Sequence, residues 1–343
     1  MKVCNRCVLP ETYEGIEFDH RGVCNYCREH RGGQENQGSA YFSSEEEVIR
    51  CLKKYKKRGQ QYDVVVSVSG GVDSSFALIK LVEAYKLRPL VFHNDHGFED
   101  EIATNNVRKL CKHLDVDLII WQNDLAFMKK LWRYFNEAGQ SDLSACFVCA
   151  NMLYFNAMRL AEKFNIKLMI NGYSKGQVRM QNNQKKSREW YGEMIEVILA
   201  TGDRAFFEEF TGKWKLLEKQ KIFQTRQDLE DNVDADKILF VPFFAFEFYK
   251  TDKEKLKKIC RERFDWQPMA TSYPARTTNC RMIWLNTYFD LKRLHFSVYH
   301  DEYSTLIREG EISRQQAIAD LAFKPPPGLL EHLASEIGVD LEI

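Results

Sequence analysis

Three Cys-x-x-Cys pairs stand out in this 343-residue chain, which has ten cysteines in all. Cys4 and Cys7 form the first pair, and Cys24 and Cys27 form the second pair after a spacer of sixteen residues. Each such turn directs two thiolates toward one point, so two turns complete a tetrahedral shell of four sulfurs around Zn²⁺. The spacing therefore predicts a zinc ribbon over residues 1–30, in which the metal supplies folding energy to a short segment. Four unrelated thiols are the alternative interpretation.

The third pair, Cys146 and Cys149, begins a different kind of segment. Residues 150–164 repeat apolar side chains at helical spacing, which predicts an amphipathic helix. Ser144 stands where an N-cap residue would, and a helix N-terminus lowers the pKa of nearby thiols. We therefore expect Cys146 and Cys149 to be metal ligands with a lowered thiol pKa.

Cys280 is the best remaining partner for that pair. It is chosen by elimination, because three other cysteines fall inside helix-like stretches, where thiols usually pack as small apolar side chains: Cys51, Cys111 and Cys260. Three cysteines form an incomplete shell, and in an iron–sulfur cluster they leave one iron open to substrate or sulfide. Buried thiols that bind no metal are the alternative interpretation.

A glycine turn follows a short β-branched run. Residues 62–68, Tyr-Asp-Val-Val-Val-Ser-Val, predict a buried parallel strand, and residues 69–75, Ser-Gly-Gly-Val-Asp-Ser-Ser, follow directly before a helical pattern. A strand, glycine turn and helix place bare backbone N–H groups and a helix N-terminus around an anion. The turn is neither a Walker loop nor a G-x-G-x-x-G fingerprint. It predicts an anion site; a plain glycine turn in an α/β domain is the alternative.

Ser-Gly-Gly-Val-Asp-Ser-Ser resembles the PP-loop of the ATP pyrophosphatase superfamily, whose members bind the pyrophosphate of ATP and release it while adenylating a substrate. The resemblance covers residues 60–180 and a stretch near 240, and it implies an α/β fold like that of the adenine nucleotide alpha hydrolases. It also implies a set of nucleotide-binding residues: Ser69, Gly70, Gly71, Val72, Asp73, Ser74, Ser75, His93 and Gly172. Many sulfur-transferring relatives have Lys where this chain has Val72, so we expect Mg²⁺ or a residue elsewhere to supply a cation.

The rest of the chain supplies the elements that must position these residues. Residues 31–44 are rich in Gly, Gln and Ser and predict a linker, and residues 45–58 predict a charged helix. Five short apolar runs predict strands: 63–68, 90–92, 118–121, 168–170 and 238–241. Helical patterns lie between them, and this alternation predicts a parallel sheet with ligands at the carboxyl ends of the strands.

The predicted organisation has four parts. They are a zinc ribbon (1–30), a linker and helix (31–58), an ATP-binding α/β domain (59–250) with a helical insert at about 178–236, and a helical C-terminal region (251–343). The predicted strand ends carry polar residues at 93–96, 123–124 and 171–175. His93 and His96 could bind a metal, but such residues at a strand end more often line a polar cleft, which we favour.

Two further resemblances bear on which nucleophile would displace the adenylated oxygen of the substrate. The opening Cys-Asn-Arg-Cys-Val-Leu-Pro, residues 22–27 and the stretch 307–317 resemble the N-acetyl sugar amidotransferases of surface-polysaccharide biosynthesis, which use ammonia from a separate glutaminase subunit. Cys146, Cys149 and Cys280 resemble the cluster ligands of the iron–sulfur-dependent tRNA thiolases. There the free iron of a [4Fe–4S] cluster carries hydrosulfide to an adenylated substrate. Sulfur transfer explains the three cysteines, whereas ammonia transfer gives no reason for them.

The charge balance bears on the substrate. Lys and Arg together number 49, as do Asp and Glu, so the formal net charge is zero. Proteins that follow the phosphate backbone of long nucleic acids usually carry a basic surplus. We therefore favour sulfur-for-oxygen exchange on a small molecule such as a nucleotide or nucleobase, with Cys146, Cys149, Cys280 and Asp73 as candidate catalytic residues. The alternatives are an amidotransferase with a glutaminase partner, then a tRNA thiolase, then a zinc-ribbon binding module without catalysis.

No apolar run approaches the roughly 18 residues of a membrane span, and the N-terminus lacks a hydrophobic signal segment. We therefore expect a cytoplasmic protein without a membrane partner. A sulfur-donor protein or a second copy of the chain would be compatible with the sequence. The predicted cofactors are ATP, Mg²⁺, Zn²⁺ and a [4Fe–4S] cluster.

Overall fold

The computed structural model describes residues 1–30, 42–138, 143–173, 177, 184–246, 253–269, 272–274 and 279–341. Most of the predicted linker (31–41) and the beginning of the predicted insert (178–183) lie outside the described residues, as do Ser174 and Lys175 of the predicted strand end. Within the described part of the chain, no helix is both long and apolar enough to cross a membrane.

Six parallel strands form one sheet. Their bounds are β1 (Val64–Ser67), β2 (Pro89–Asp95), β3 (Asp117–Gln122), β4 (Leu168–Asn171), β5 (Gln220–Ile222) and β6 (Ile238–Pro242). They lie in the order β3-β2-β1-β4-β6-β5, and each neighbouring pair is parallel. The order in which successive strands are added to the sheet reverses between β1 and β4, and sheets of this type bind ligands in the crevice at that point. The predicted α/β fold with a parallel sheet is confirmed.

Helices cover both faces of this sheet and continue beyond it. They are α1 (Asn25–Glu29), α2 (Glu45–Lys53), α3 (Val72–Glu83), α4 (Glu101–Leu114), α5 (Leu125–Glu137), α6 (Ala145–Lys163), α7 (Gln184–Ala200), α8 (Arg204–Trp214), α9 (Arg226–Asp231), α10 (Lys253–Phe264), α11 (Met282–Leu294), α12 (Val298–Arg308), α13 (Arg314–Asp320) and α14 (Leu329–Ile337). Two 3₁₀ turns span Lys215–Lys219 and Phe243–Phe246.

The alternation of side chains along the strands divides the core into two layers. Val65 packs with α5 and α6 on one face of the sheet, and Val64 and Val66 pack with α3 and α10 on the other. Strands buried on both faces read as continuous apolar runs, which is why the sequence identifies the central strands so readily.

The prediction that the insert is helical is wrong in one respect. Residues 220–222 form β5, an edge strand that pairs in parallel with β6. A three-residue strand is too short to produce a periodic signal, and its place is fixed by pairing with a distant neighbour. Of the described insert, α7, α8 and α9 are helical as expected.

Two predicted helices have different bounds in the structure. α6 begins at Ala145 rather than at residue 150, so Cys146 and Cys149 lie in its first two turns. α2 ends at Lys53, and the basic run continues as a turn. Lys54 and Lys57 in that turn lie 3.7 and 3.0 Å from Glu230 and Asp234, so these charges are paired within the chain.

The N-terminal segment packs against the C-terminal helices. The Val8 N–H donates to the Ser304 Oγ at 3.3 Å, and Arg314 Nε donates to the Cys7 carbonyl at 2.9 Å. Ile307 joins the small apolar cluster of the ribbon. α12 therefore lies directly against the N-terminal segment. The domain boundaries near residues 58 and 250 stay predictions.

Candidate active site and metal centre

The first four cysteines form a compact group. Their sulfurs all lie within 4.8 Å of one another, with Cys7 Sγ 3.8 Å from Cys24 Sγ and Cys4 Sγ 4.0 Å from Cys27 Sγ. A tetrahedral zinc site with Zn–S bonds of about 2.3 Å requires sulfurs about 3.8 Å apart. All four side chains are fully buried. The group therefore fits a single closed metal site, as the spacing predicts.

The glycine turn is braced by its own serines. The Ser69 N–H donates to the Ser74 Oγ at 3.2 Å, and the Ser74 hydroxyl donates to the Gly71 carbonyl at 3.2 Å. Gly71 is the N-cap of α3, with Asp73 in the first turn. The first N–H groups of a helix have no partner within the helix, so this turn presents donors and a positive helix end to an anion.

Two glycines allow the backbone to approach closely here. Gly70 has a φ of 82°, and a Cβ at this position would overlap the carbonyl oxygen of Ala103. Gly172, directly after β4, passes against the turn so closely that a Cβ would overlap the backbone of Ser74. Any side chain at either position would displace the turn from its neighbours.

One cavity of about 510 Å³ lies at the carboxyl ends of the strands and contains both predicted centres. Its turn side is lined by Ser69, Gly71, Asp73 and Ser74, its strand ends by His93, Asn94, Asn171 and Gly172, and its far side by Cys146, Cys149 and Cys280. Gly70, Val72 and Ser75 do not line it, because they are buried beneath the turn. The fold thus brings the glycine turn and the cysteine triad to one cavity.

A backbone bridge holds Cys280 in place. Cys280 pairs with Glu99 in an isolated antiparallel bridge, the Arg281 N–H donates to the Phe98 carbonyl at 2.9 Å, and the Asp100 N–H donates to the Asn279 carbonyl at 2.7 Å. The segment before α11 is thereby held against the loop that follows β2. This pairing explains how a cysteine 131 positions after Cys149 reaches the same cavity.

The prediction of lowered thiol pKa values is wrong. Burial raises the pKa of Cys146 and of Cys149 well above the ordinary thiol value. Ser144 is the N-cap of α6, but its hydroxyl makes no capping bond and instead donates to Asp290 Oδ2 at 2.9 Å. The loss of solvent outweighs the field of one helix end.

A relay of two amides ends on Cys146. Asn286 Nδ2 donates to the Cys146 sulfur at 3.0 Å, and Asn136 Nδ2 donates to Asn286 Oδ1 at 2.8 Å. Since Asn136 occupies the oxygen of Asn286, the amide nitrogen is the end turned to the sulfur. Asn286 also lowers the Cys146 pKa against the larger effect of burial. This polar contact, which the sequence did not indicate, favours the thiolate form.

His93, near the end of β2, and His96, directly after that strand, are held by contacts with other protein groups. His93 Nδ1 lies 2.8 Å from the Val68 carbonyl and Nε2 lies 3.1 Å from the Thr104 hydroxyl. His96 Nε2 lies 2.7 Å from Glu99 Oε1. Burial opposes ionisation of His96, but Glu99 and Cys280 raise its pKa well above the ordinary value. Both side chains line the cavity, which agrees with a polar cleft.

The end of β3 does not contribute to the cavity. Asn123 donates to Asn94 Oδ1 at 2.9 Å, and Asp124 caps α5 by accepting from the Phe127 N–H at 3.0 Å. A wall that the sequence reasoning missed is formed by one face of α12, at residues 298, 299, 302, 303 and 306. Its helical spacing was visible in the sequence, but nothing there related this helix to the turn.

Comparison with known proteins gives matches to the α/β part. Residues 62–190 match the family model described as the tRNA methyl transferase HUP domain. The chain is 28% identical over 171 residues, half of its length, to the uncharacterized protein MJ1599 of Methanocaldococcus jannaschii. It is 30% identical over 93 residues (27% of the chain) to the glutamine-hydrolyzing GMP synthase of Pyrobaculum aerophilum. It is also 30% identical over 95 residues (26%) to the tRNA(Ile)-lysidine synthase of Caldanaerobacter subterraneus.

The matches span 58%, 18% and 20% of those three relatives, respectively. Among solved structures, the U34-tRNA thiolase NcsA of Methanococcus maripaludis with its [4Fe–4S] cluster aligns over 100% of this chain and 91% of its own, at 13% identity. The TM-score of that alignment is 0.37. The family match and the two named enzymes agree with the turn geometry, and residues 62–190 are similar to the PP-loop ATP pyrophosphatase superfamily.

Proposed function

We propose that the protein is an ATP-dependent sulfurtransferase, which adenylates a substrate oxygen and replaces that oxygen with sulfur. One observation carries this proposal. The PP-loop residues Ser69, Gly71 and Ser74 line the same cavity as Cys146, Cys149 and Cys280. A nucleotide on the turn and a sulfur species at the cysteines would therefore share one cavity.

The proposed reaction has two steps. A substrate oxygen attacks the α-phosphorus of ATP, so that a new P–O bond forms and pyrophosphate leaves. A hydrosulfide equivalent from an external sulfur donor then adds to the activated carbon and loses its proton, and AMP leaves with the former substrate oxygen. The exchange of C–O for C–S needs no net oxidation.

The turn is suited to hold the pyrophosphate. Its N–H groups and the α3 N-terminus favour a polyanion, while Asp73 beside them is suited to bind Mg²⁺. No Lys or Arg occurs among the described residues that line the cavity. Mg²⁺ is therefore the natural source of positive charge for the phosphates, in agreement with the Val that stands at position 72.

The cysteine side of the cavity fits a [4Fe–4S] cluster. Three cysteines line a common space, which suits a cluster that each of them binds through a different iron. Such a cluster, bound by three cysteines, supplies an iron with an open coordination position for sulfur. Asn286 donates to the Cys146 sulfur, which suits a thiolate ligand. We assign Zn²⁺ to the four ribbon cysteines.

An ammonia-dependent amidotransferase is the second candidate. The relative from Pyrobaculum is a glutamine-hydrolyzing enzyme, which favours ammonia as the nucleophile. That reaction would require a glutaminase partner and leaves the cysteine triad without a role.

For the substrate we propose a nucleotide or nucleobase. A tRNA base is the alternative substrate, because the matching family model and the Caldanaerobacter relative are both named for tRNA modification.

Metal analysis of anaerobically purified protein tests the proposal. We expect about four irons per chain in addition to one zinc, with a brown colour. A protein that stays colourless and iron-free after anaerobic reconstitution would contradict sulfur transfer and favour the amidotransferase. Pyrophosphate release with sulfide and either a free nucleotide or tRNA then separates the two substrate classes. The triple variant Cys146→Ser, Cys149→Ser and Cys280→Ser serves as the control for iron bound outside the cavity.

A further inference from the structure

We infer that Trp266 is a positioning residue for the PP-loop. Its indole N–H holds the Gly70 carbonyl, and thereby keeps the Gly71 N–H directed at the phosphates of a bound nucleotide. The inference rests on one part of the proposed function, the binding of a nucleotide at the turn. It is independent of whether sulfur or ammonia is transferred.

Two donors meet on one carbonyl. Trp266 Nε1 donates to the Gly70 oxygen at 2.8 Å, and Asn106 Nδ2 donates to the same oxygen at 3.3 Å. Trp266 and Asn106 are each 1% exposed, so neither bond competes with water. A carbonyl oxygen has two lone pairs, and here both are used.

The peptide plane transmits this restraint to the cavity. The only cis peptide among the described residues is Tyr273–Pro274, so the Gly70–Gly71 bond is trans. In a trans peptide the C=O and the next N–H point in opposite directions. Gly71 lines the cavity, whereas Gly70 and Trp266 do not. Fixing the Gly70 oxygen on the buried side therefore directs the Gly71 N–H to the cavity side.

Without these donors the peptide would be free to turn over. Both flanking residues are glycines, which accept positive and negative φ at similar cost. A flipped peptide would present the Gly70 carbonyl oxygen to the phosphates of a bound nucleotide. The carbonyl oxygen and the phosphate oxygens are both negatively charged and would repel each other. A Gly-Gly turn can approach the nucleotide closely, but it needs an external restraint to keep its donors in place.

The segment that carries Trp266 is itself fixed on α4. The Gln267 N–H donates to Asn106 Oδ1 at 3.0 Å, and Asn106 Nδ2 donates to the Gln267 carbonyl at 2.8 Å. Lys109 Nζ lies 2.7 Å from Asp265 Oδ2 on the same helix face. The restraint on the PP-loop therefore comes from the region after α10, far from the turn in sequence.

Binding of a non-hydrolysable ATP analogue to Trp266→Phe tests the inference. Phe retains most of the ring but has no N–H, and the loss of one hydrogen bond corresponds to an increase of Kd of about five- to thirty-fold. Trp214→Phe is the matched control, because Trp214 is also buried but its Nε1 has no partner among the described residues. We expect the Kd of Trp214→Phe to stay within twofold of the unmodified protein.

A second variant separates the hydrogen bond from the shape of the ring. Replacement of Trp266 by β-(3-benzothienyl)alanine retains the bicycle and exchanges the N–H for sulfur, so it serves if Trp266→Phe does not fold. We expect the same weakening of binding. An unchanged Kd in a folded variant would overturn the inference. Failure of the unmodified protein to bind the analogue would instead count against the proposed function.

Discussion

At the scale of single residues, the polar contacts of the cavity are set by amide orientation. Asn136 and Asn286 are each 1% exposed, and Asn136 Nδ2 donates to Asn286 Oδ1 at 2.8 Å. With its oxygen taken by Asn136, the Asn286 amide turns its nitrogen to the Cys146 sulfur at 3.0 Å. The sequence contains no pattern that announces such a relay, because its members come from three different helices.

Asn286→Asp tests this relay. The substitution keeps the shape of the side chain but presents oxygen atoms to the sulfur, and it adds a carboxyl one helical turn before Asp290. We expect the iron content after anaerobic reconstitution to fall about ten-fold or more, as for other groups that orient metal ligands. The exposed Asn105→Asp is the control. Equal iron loading of both variants would show that the amide has no part in holding the cluster.

At the scale of elements, helix ends position the walls of the cavity. Ser297 is the N-cap of α12 and forms a capping box with His300. In it the Ser297 N–H donates to His300 Nδ1 at 3.1 Å. Burial lowers the pKa of His300 to about 4. The neutral ring is thus the form that the fold requires.

His300→Gln tests the pH dependence that follows. Because the folded pKa lies below the unfolded value of about 6.5, the unfolded chain binds more protons between these values, and the fold loses stability as the pH falls from about 6.5 to 4. His300 contributes up to about 3 kcal/mol to that loss. We expect the free energy of unfolding, measured in urea at pH 7 and pH 5, to change less in His300→Gln than in the unmodified protein. The exposed His332→Gln should leave the difference unchanged.

The contact of the ribbon with the C-terminal region also belongs to this scale. Arg314 begins α13, and its guanidinium donates to the Cys4 carbonyl at 3.3 and 3.2 Å and to the Cys7 carbonyl at 2.9 Å. These carbonyls belong to the first Cys-x-x-Cys turn. The guanidinium therefore restrains the backbone that carries the thiols of Cys4 and Cys7.

Arg314→Met removes these donors but keeps an unbranched side chain. We expect the free energy of unfolding to fall by about 1–3 kcal/mol and zinc to be released faster to a chelator, since two backbone acceptors lose their partner. Arg204→Met, at an exposed helix start, is the matched control. Identical release of zinc from the two variants would count against a role for Arg314 in the metal site.

At the scale of the whole molecule, the sequence predicts local features far better than distant ones. The five longer strands, the ribbon spacing and the glycine turn are carried by neighbouring residues, and the structure has each of them. β5, the bridge between Glu99 and Cys280, and the α12 wall depend on pairing between remote segments, and only Cys280 was proposed, by elimination. The thiol pKa was predicted wrongly because burial cannot be judged from a C-x-x-C pair alone.

The contact between the two ends of the described chain has a consequence for biosynthesis. Val8 and Cys7 of the ribbon precede their hydrogen-bond partners Ser304 and Arg314 by about three hundred positions. Cys280 is likewise made long after the PP-loop that shares its cavity. Contacts of such high sequence separation form late, and domains assemble as the chain emerges from the ribosome. A nascent or truncated chain would thus expose the PP-loop before the cysteine triad and the α12 wall are in place.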